Sequence, residues 1–180
     1  MIRSVATIAL AIQIAQPKVT DADAERYAVV LQKEAKAHDF DPLTGVSIIS
    51  HESAFNPKVV SKNGEDHGLA QIRARYIGAC KNTSDPIKNP TPACEKVKQM
   101  LLEPEENIRV MAELITRHRK FCKKKVGSAR FDRWLASYQG RNYPKKKRWC
   151  KPGKGTWKVI NYRRHLIAEL SRRGKLHARR

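Results

Sequence analysis

The chain has 180 residues, 41% of them hydrophobic and 30% charged: enough apolar material for one domain with a real core, and too little length for two full domains. Its 37 Lys and Arg against 17 Asp and Glu give an extreme formal charge of +20, and it is not evenly spread. The excess lies in one half. Residues 109–180 hold 24 Lys and Arg against three acids (Glu113, Asp132 and Glu169), a balance of +21, whereas residues 1–108 sum to −1. That half predicts a cationic surface for a polyanion, with teichoic acid, lipopolysaccharide, the carboxylates of peptidoglycan and nucleic acid all qualifying on charge.

Residues 1–16 open with Met1-Ile2-Arg3, then run apolar from Val5 to Ala15. One positive charge, a short apolar run and a small residue at its end have the composition of an export signal, and the run is too short to span a bilayer comfortably. Gln13 fits poorly three residues before a cut after Ala15, and a plain N-terminal helix packed on the domain is the other reading. Residues 17–180 are then expected to form a single domain. From Asp21 to about His38 the spacing of Tyr27, Val30, Leu31 and Ala35 predicts a helix capped by Thr20 or Asp21. Asp41-Pro42 starts another, cap then proline. Leu43, Val46, Ile49 and Glu52 follow at three-residue steps, so Glu52 belongs at the helix end beside the core. Glycines and polar residues from Ser53 to Ile72 predict irregular loop with room for a small strand pair, and the proline-rich stretch 81–94 predicts a surface loop.

Glu103-Pro104-Glu105-Glu106 opens a helix with acids at its positive end, and Ile108, Met111, Ala112 and Ile115 form its buried stripe. A shorter helix from Ser128 carries Phe131, Trp134, Leu135 and Tyr138 and stops at Gly140. A lysine-rich loop, Pro144 to Gly155, precedes a last helix from Thr156 to Arg173 with Gly174 as its stop. The chain has no internal repeat and reads as mainly α with little β. Cys80, Cys94, Cys122 and Cys150 are even in number without a Cys-x-x-Cys pair, which disfavours a zinc ribbon and suits two disulfides. Three pairings are possible. Cys80–Cys94 and Cys122–Cys150 are preferred because each closes a short loop, the first of about 15 residues and worth roughly 3 kcal/mol. Four buried thiols in a cytosolic protein is the bland reading.

The chemistry concentrates in His51-Glu52-Ser53-Ala54-Phe55-Asn56-Pro57 and the following Ser61-Lys62-Asn63-Gly64-Glu65-Asp66-His67-Gly68-Leu69-Ala70-Gln71-Ile72. A glycosidic oxygen leaves poorly until protonated, so an enzyme working near neutral pH needs a carboxylic acid that keeps its proton there. Burial raises a glutamate's pKa. Glu52, with Ile48 and Ile49 behind it and Phe55 ahead, is the acid so placed. Glu65 and Asp66 read first as solvated loop charges. His51-Glu52 does not extend to a zinc-protease His-Glu-x-x-His, because position 55 is phenylalanine. No metal and no cofactor is expected.

Glu52-Ser53, Phe55-Asn56-Pro57, Ser61, Gly64 and Gly68-Leu69-Ala70-Gln71 together resemble the catalytic segment of the soluble lytic transglycosylases. These enzymes cleave the glycan strands of peptidoglycan in a lysozyme-like fold, so the resemblance implies a mainly α, α+β lysozyme-like domain with a small β segment beside the cleft. It implies Glu52 as acid and then base, giving a 1,6-anhydro end on N-acetylmuramic acid. It implies Ser61 as the serine bonding the sugar and Gln71 as the glutamine lining the cleft. Glu106-Asn107-Ile108 resembles the family's acidic-Asn-Ile helix start, which puts Asn107 among the candidate binding residues. Trp134 to Gly140 resembles its Ala-x-Tyr-Asn-x-Gly, with Tyr138 matching and Gln139 standing where asparagine is usual. Asn161-Tyr162-Arg163-Arg164 makes Tyr162 the match for a tyrosine whose hydroxyl approaches the glutamate. Asp66-His67-Gly68 is similar to the subgroup tied to secretion systems, pili and phage particles.

Peptidoglycan strands are therefore the expected partner, with anionic wall polymers held by the basic half, a monomeric state, and a secreted, periplasmic or phage-associated location. A goose-type-like lysozyme using Asp66 or Glu65 as second carboxylate is the rival. A nucleic-acid binder built on Lys145-Lys146-Lys147-Arg148 and the Arg172-Arg173 and Arg179-Arg180 pairs is disfavoured, because the basic half carries no nucleic-acid motif and few interleaved aromatics.

Overall fold

Residues 3–175 are described by a computed structural model; Arg179-Arg180, named above as part of a basic tail, lie outside them. The helices begin where short polar side chains can take up free backbone N–H groups. Ser4, Thr20 and Asp41 accept from Thr7, Asp23 and Leu43 at the starts of α1 (Val5–Ala15), α2 (Asp21–Ala37) and α3 (Pro42–Ser53). Thr91 caps α4 (Pro92–Met100), while α5 (Pro104–Val126) opens on proline with Glu105 and Glu106 in its first turn and ends at Gly127 in the left-handed region. The last two helices are α6 (Phe131–Tyr138) and α7 (Lys154–Arg172). The sheet is minimal: β1 (Asp66–His67) pairs antiparallel with β2 (Ile72–Arg73), Asp66 opposite Arg73 and His67 opposite Ile72. Seven helices and this hairpin, among the described residues, make the mainly α, lysozyme-like architecture.

α3 runs through the middle of the core. Leu43, Val46, Ile48 and Ile49 are fully buried, facing Leu31 of α2, Ile108, Met111 and Ile115 of α5, and Val159 and Leu166 of α7. Gly45 permits this close approach, since a Cβ there would press on Leu31 and Met111. α1 also belongs to the core: Ile8, Ala11 and Ile12 are fully buried, and the helix packs on α2, α3 and α7. Arg3, just ahead of it, binds both carboxylate oxygens of Asp41, the cap of α3, and Arg163 of α7 shares Oδ2 with it. Burial opposes that charge, but Arg3 and Arg163 hold Asp41 below the usual carboxylate range. Among the described residues no helix is long and apolar enough to cross a membrane.

Both preferred cysteine pairs form, Cys80–Cys94 and Cys122–Cys150. The first sits where a surface loop is expected, and the structure corrects that expectation: Thr91-Pro92 starts helix α4, so Cys94 is helical. The Thr-Pro pair is the same cap-and-proline signal as Asp41-Pro42, obscured in the sequence by the neighbouring prolines. The second ties α5 to the lysine-rich loop ahead of α7.

Candidate active site

Glu52 lies in the last turn of α3, whose end is forced by Ala54 and Phe55 in the left-handed region (φ 50° and 63°). That reversal buries Phe55 and leaves the Glu52 carboxyl on a cavity of about 660 Å³. His51 and Glu52 line it from α3. Asp66, Gln71, Arg73 and Tyr76 line it from the hairpin and the turn after it, and His118, Ser137, Tyr138 and Gln139 from α5 and α6, with Arg141 and Trp149 beyond them in sequence.

Burial pushes the Glu52 carboxyl up to about 7; the Gln139 amide pulls it back, and the negative charge of Asp66 adds to the rise. Gln139 Nε2 donates to Glu52 Oε1 at 3.4 Å, and Gln139 Oε1 accepts from the hydroxyl of buried Thr156 at 3.0 Å, which fixes the amide's orientation. Tyr138 donates its hydroxyl to Ala70 O at 3.0 Å. Burial, reinforced by the charges of Glu52 and Asp66, holds its phenol well above the usual range, so it stays a neutral donor.

The loop opposite is held from behind. Asn107 is fully buried; its amide donates to His67 O and Leu101 O at 2.9 and 2.6 Å, and its oxygen accepts from Ala70 N at 2.8 Å. Gly68 (φ 72°) lies against this clamp so tightly that a Cβ would collide with Leu101 O and the Asn107 amide. Gln71 (φ 46°) lines the cavity and spends its amide protons on Val59 O and Gly68 O, both at 3.0 Å. Arg73 binds Asp66 through Nε at 3.0 Å, and Glu65 is taken up by Arg73 and Arg75.

Of the residues singled out from the sequence, Glu52, Gln71, Tyr138 and Gln139 meet at the cavity. Three do not line it. Ser61 organises the loop, donating to Asn63 Oδ1 and accepting from Asp66 N. Asn107 is the internal clamp just described. Tyr162 is half-buried beside Ser50 and His165, behind the catalytic turn. Sequence reasoning also passed over His118, Ser137, Thr156, Arg73 and Tyr76. For His118 a signal exists: it continues the buried stripe Ile108, Met111, Ile115 at the next three-residue step, a polar ring where an apolar one is expected.

No curated protein and no solved structure matches the chain significantly. Residues 30–148, from within α2 to the basic loop, match the family model described as the transglycosylase SLT domain, and this span contains every cavity residue named above except Trp149 and the Thr156 anchor. The chain belongs to the soluble lytic transglycosylase family, whose members cleave the glycan of peptidoglycan.

Proposed function

We propose that this protein cleaves the β-1,4 bond between N-acetylmuramic acid and N-acetylglucosamine, leaving a 1,6-anhydro end. Glu52 gives its proton to the bridging oxygen as the bond from the muramic C1 breaks. The sugar's own 6-hydroxyl then attacks C1, and its proton passes to the Glu52 carboxylate, restoring the acid. The observation that carries this reading is a glutamic acid lining a cavity, protonated up to about pH 7 by burial and oriented by an amide that is itself anchored. Tyr138 and Gln71 are the proposed binding partners across the cleft. Mass spectrometry of muropeptides released from purified sacculi tests it: anhydro-muramic ends are expected, and reducing ends would replace this reading by hydrolysis.

One observation favours that second reading. Asp66, held by Arg73, lines the same cavity as a second carboxylate and could activate a water there.

The cationic half supports retention on anionic wall polymers. A second hollow of about 640 Å³ between the end of α2 and α5 is lined by Arg119, Lys120, Lys123 and Lys124, a surface suited to phosphate or carboxylate groups. The two disulfides support a secreted or periplasmic location. The packing of α1 supports a domain that keeps residues 1–16: a cut after Ala15 would remove Ile8, Ala11 and Ile12 from the core. N-terminal sequencing of the exported protein distinguishes the two forms.

A further inference from the structure

His118 projects from α5 into the cleft wall and takes part in nothing so far assigned to the reaction. Its surroundings determine which nitrogen carries the proton. Cys150 N donates to Asn142 Oδ1 at 3.0 Å, so the Asn142 amide nitrogen faces the other way, where it donates to Ser137 Oγ at 2.9 Å. Ser137 Oγ lies 2.8 Å from His118 Nδ1, and among the described residues no other acceptor is bonded to its hydroxyl. The hydroxyl proton therefore goes to Nδ1, which must be the bare nitrogen, and the ring proton sits on Nε2. Burial, with the neighbouring Arg117 charge, pulls the imidazole down to about 4, so the ring is neutral in the working range. Nε2 has no protein partner among the described residues and is not sealed from solvent, and His118 is part of the cavity lining.

The chain Cys150 N–H, Asn142, Ser137, His118 thus ends in one neutral N–H donor presented to the cleft. It is rigidly mounted. The imidazole packs edge-on against Tyr138 at 5.9 Å, and Cys122, one turn further along α5, is covalently joined to Cys150 at the other end of the network. The donor's neighbours in the lining include Leu114, one turn back on α5, and the Tyr138 ring, with Trp149 a further aromatic of the same cavity; its cations, Arg73 and Arg141, come from other elements. A neutral donor beside apolar surface matches a neutral carbonyl carrying a methyl group, which is an acetamido group; a carboxylate would be better served by a cation.

We infer that His118 Nε2–H binds the acetamido carbonyl of an N-acetylglucosamine unit flanking the cleaved bond. His118 is not among the groups that act on Glu52, which are Gln139 and Asp66, and feels no charge from it, so it is assigned to a neighbouring unit; because the strand alternates, both neighbours of the muramic acid served by Glu52 are N-acetylglucosamine. The inference deepens the transglycosylase reading and rests on it.

The test pairs enzyme variants with two substrates, native glycan strands and strands whose glucosamine units carry free amines. His118→Phe keeps the ring and its packing on Tyr138 but removes both nitrogens; His118→Gln returns an amide N–H near the Nε2 position. On native strands His118→Phe is expected to raise KM about tenfold while kcat changes less than about twofold, and His118→Gln to recover most of that loss. On the free-amine strands wild type and His118→Phe should be equal. A His118→Phe penalty of the same size on both substrates, or none on native strands, overturns the assignment and leaves the transglycosylase reading standing. A wild-type protein that cleaves neither strand overturns both. Thermal melting of each variant separates loss of binding from loss of fold, because a merely structural role would lower Tm without producing a substrate-dependent KM.

Discussion

A carboxyl that loses its proton only near pH 7 titrates inside the range where a wall enzyme works, so Glu52 should leave its mark on rate and stability together. As the proposed proton donor it is competent below its pKa; kcat/KM is expected to be level up to about pH 7 and to fall about tenfold per pH unit beyond it, read from a rate profile between pH 5 and 9. Replacing Gln139 by Leu removes the donor that favours the charged form, so the same limb should move to higher pH; an unmoved limb would mean that the 3.4 Å contact has no energetic weight. Stability moves in the same direction. The folded pKa of Glu52 is raised above its unfolded value, so stability is greatest while the group is protonated in both states and is lost as pH climbs from about 4.5 to 7. Glu52→Gln should therefore abolish wall clearing yet stabilise the protein by about 1–3 kcal/mol at pH 8, with no gain at pH 4, as chemical denaturation at the two pH values would report. The motif pointed directly to this residue, because a glutamate closing an apolar helix leaves little choice of environment. It was silent on direction for Ser61, Asn107 and Tyr162. Matching a residue type locates a backbone position, and only the packing decides whether the side chain turns toward the cleft or supports it from behind.

At the scale of elements, the caps were legible because Thr20, Asp41-Pro42 and Glu103-Pro104 are local signals, and a three-residue apolar step identifies a buried helix face from sequence alone. Two features depend on tertiary contact and were not. α4 hid among prolines, and the N-terminal run has the composition of an export signal as well as that of the buried helix α1. If α1 is part of the working domain, Ile12→Ala should cost about 2–5 kcal/mol, the range for a fully buried aliphatic truncation; a change below about 0.5 kcal/mol would mean that this helix is dispensable. The hairpin loop gives a sharper test. Gly68→Ala puts a methyl group into the Leu101 carbonyl and the Asn107 amide at a backbone angle of φ 72°, so it should destabilise by about 3 kcal/mol or more and reduce activity by displacing Ala70, the acceptor of the Tyr138 hydroxyl.

Across the whole molecule, charge separates from chemistry. Residues 1–108, which carry Glu52 and the loop opposite, are almost neutral, whereas residues 109–180 supply a balance of +21. Adsorption to sacculi is expected to weaken as ionic strength rises from about 0.05 to 0.5 M while turnover on short soluble fragments changes little, measured by sedimentation and product analysis in parallel; adsorption indifferent to salt would remove the tethering role of the basic half. The asymmetry was countable from the sequence, but the hollow beside Arg119 and Lys123 was not, because it depends on how the end of α2 meets α5. A final consequence follows from the anchored amide of Gln139. Since that amide donates to Oε1 of Glu52, Oε2 is the carboxyl oxygen left open to a substrate. The two sides of the acid are then unequal, and a glycan chain is expected to thread this groove with one polarity preferred over the other.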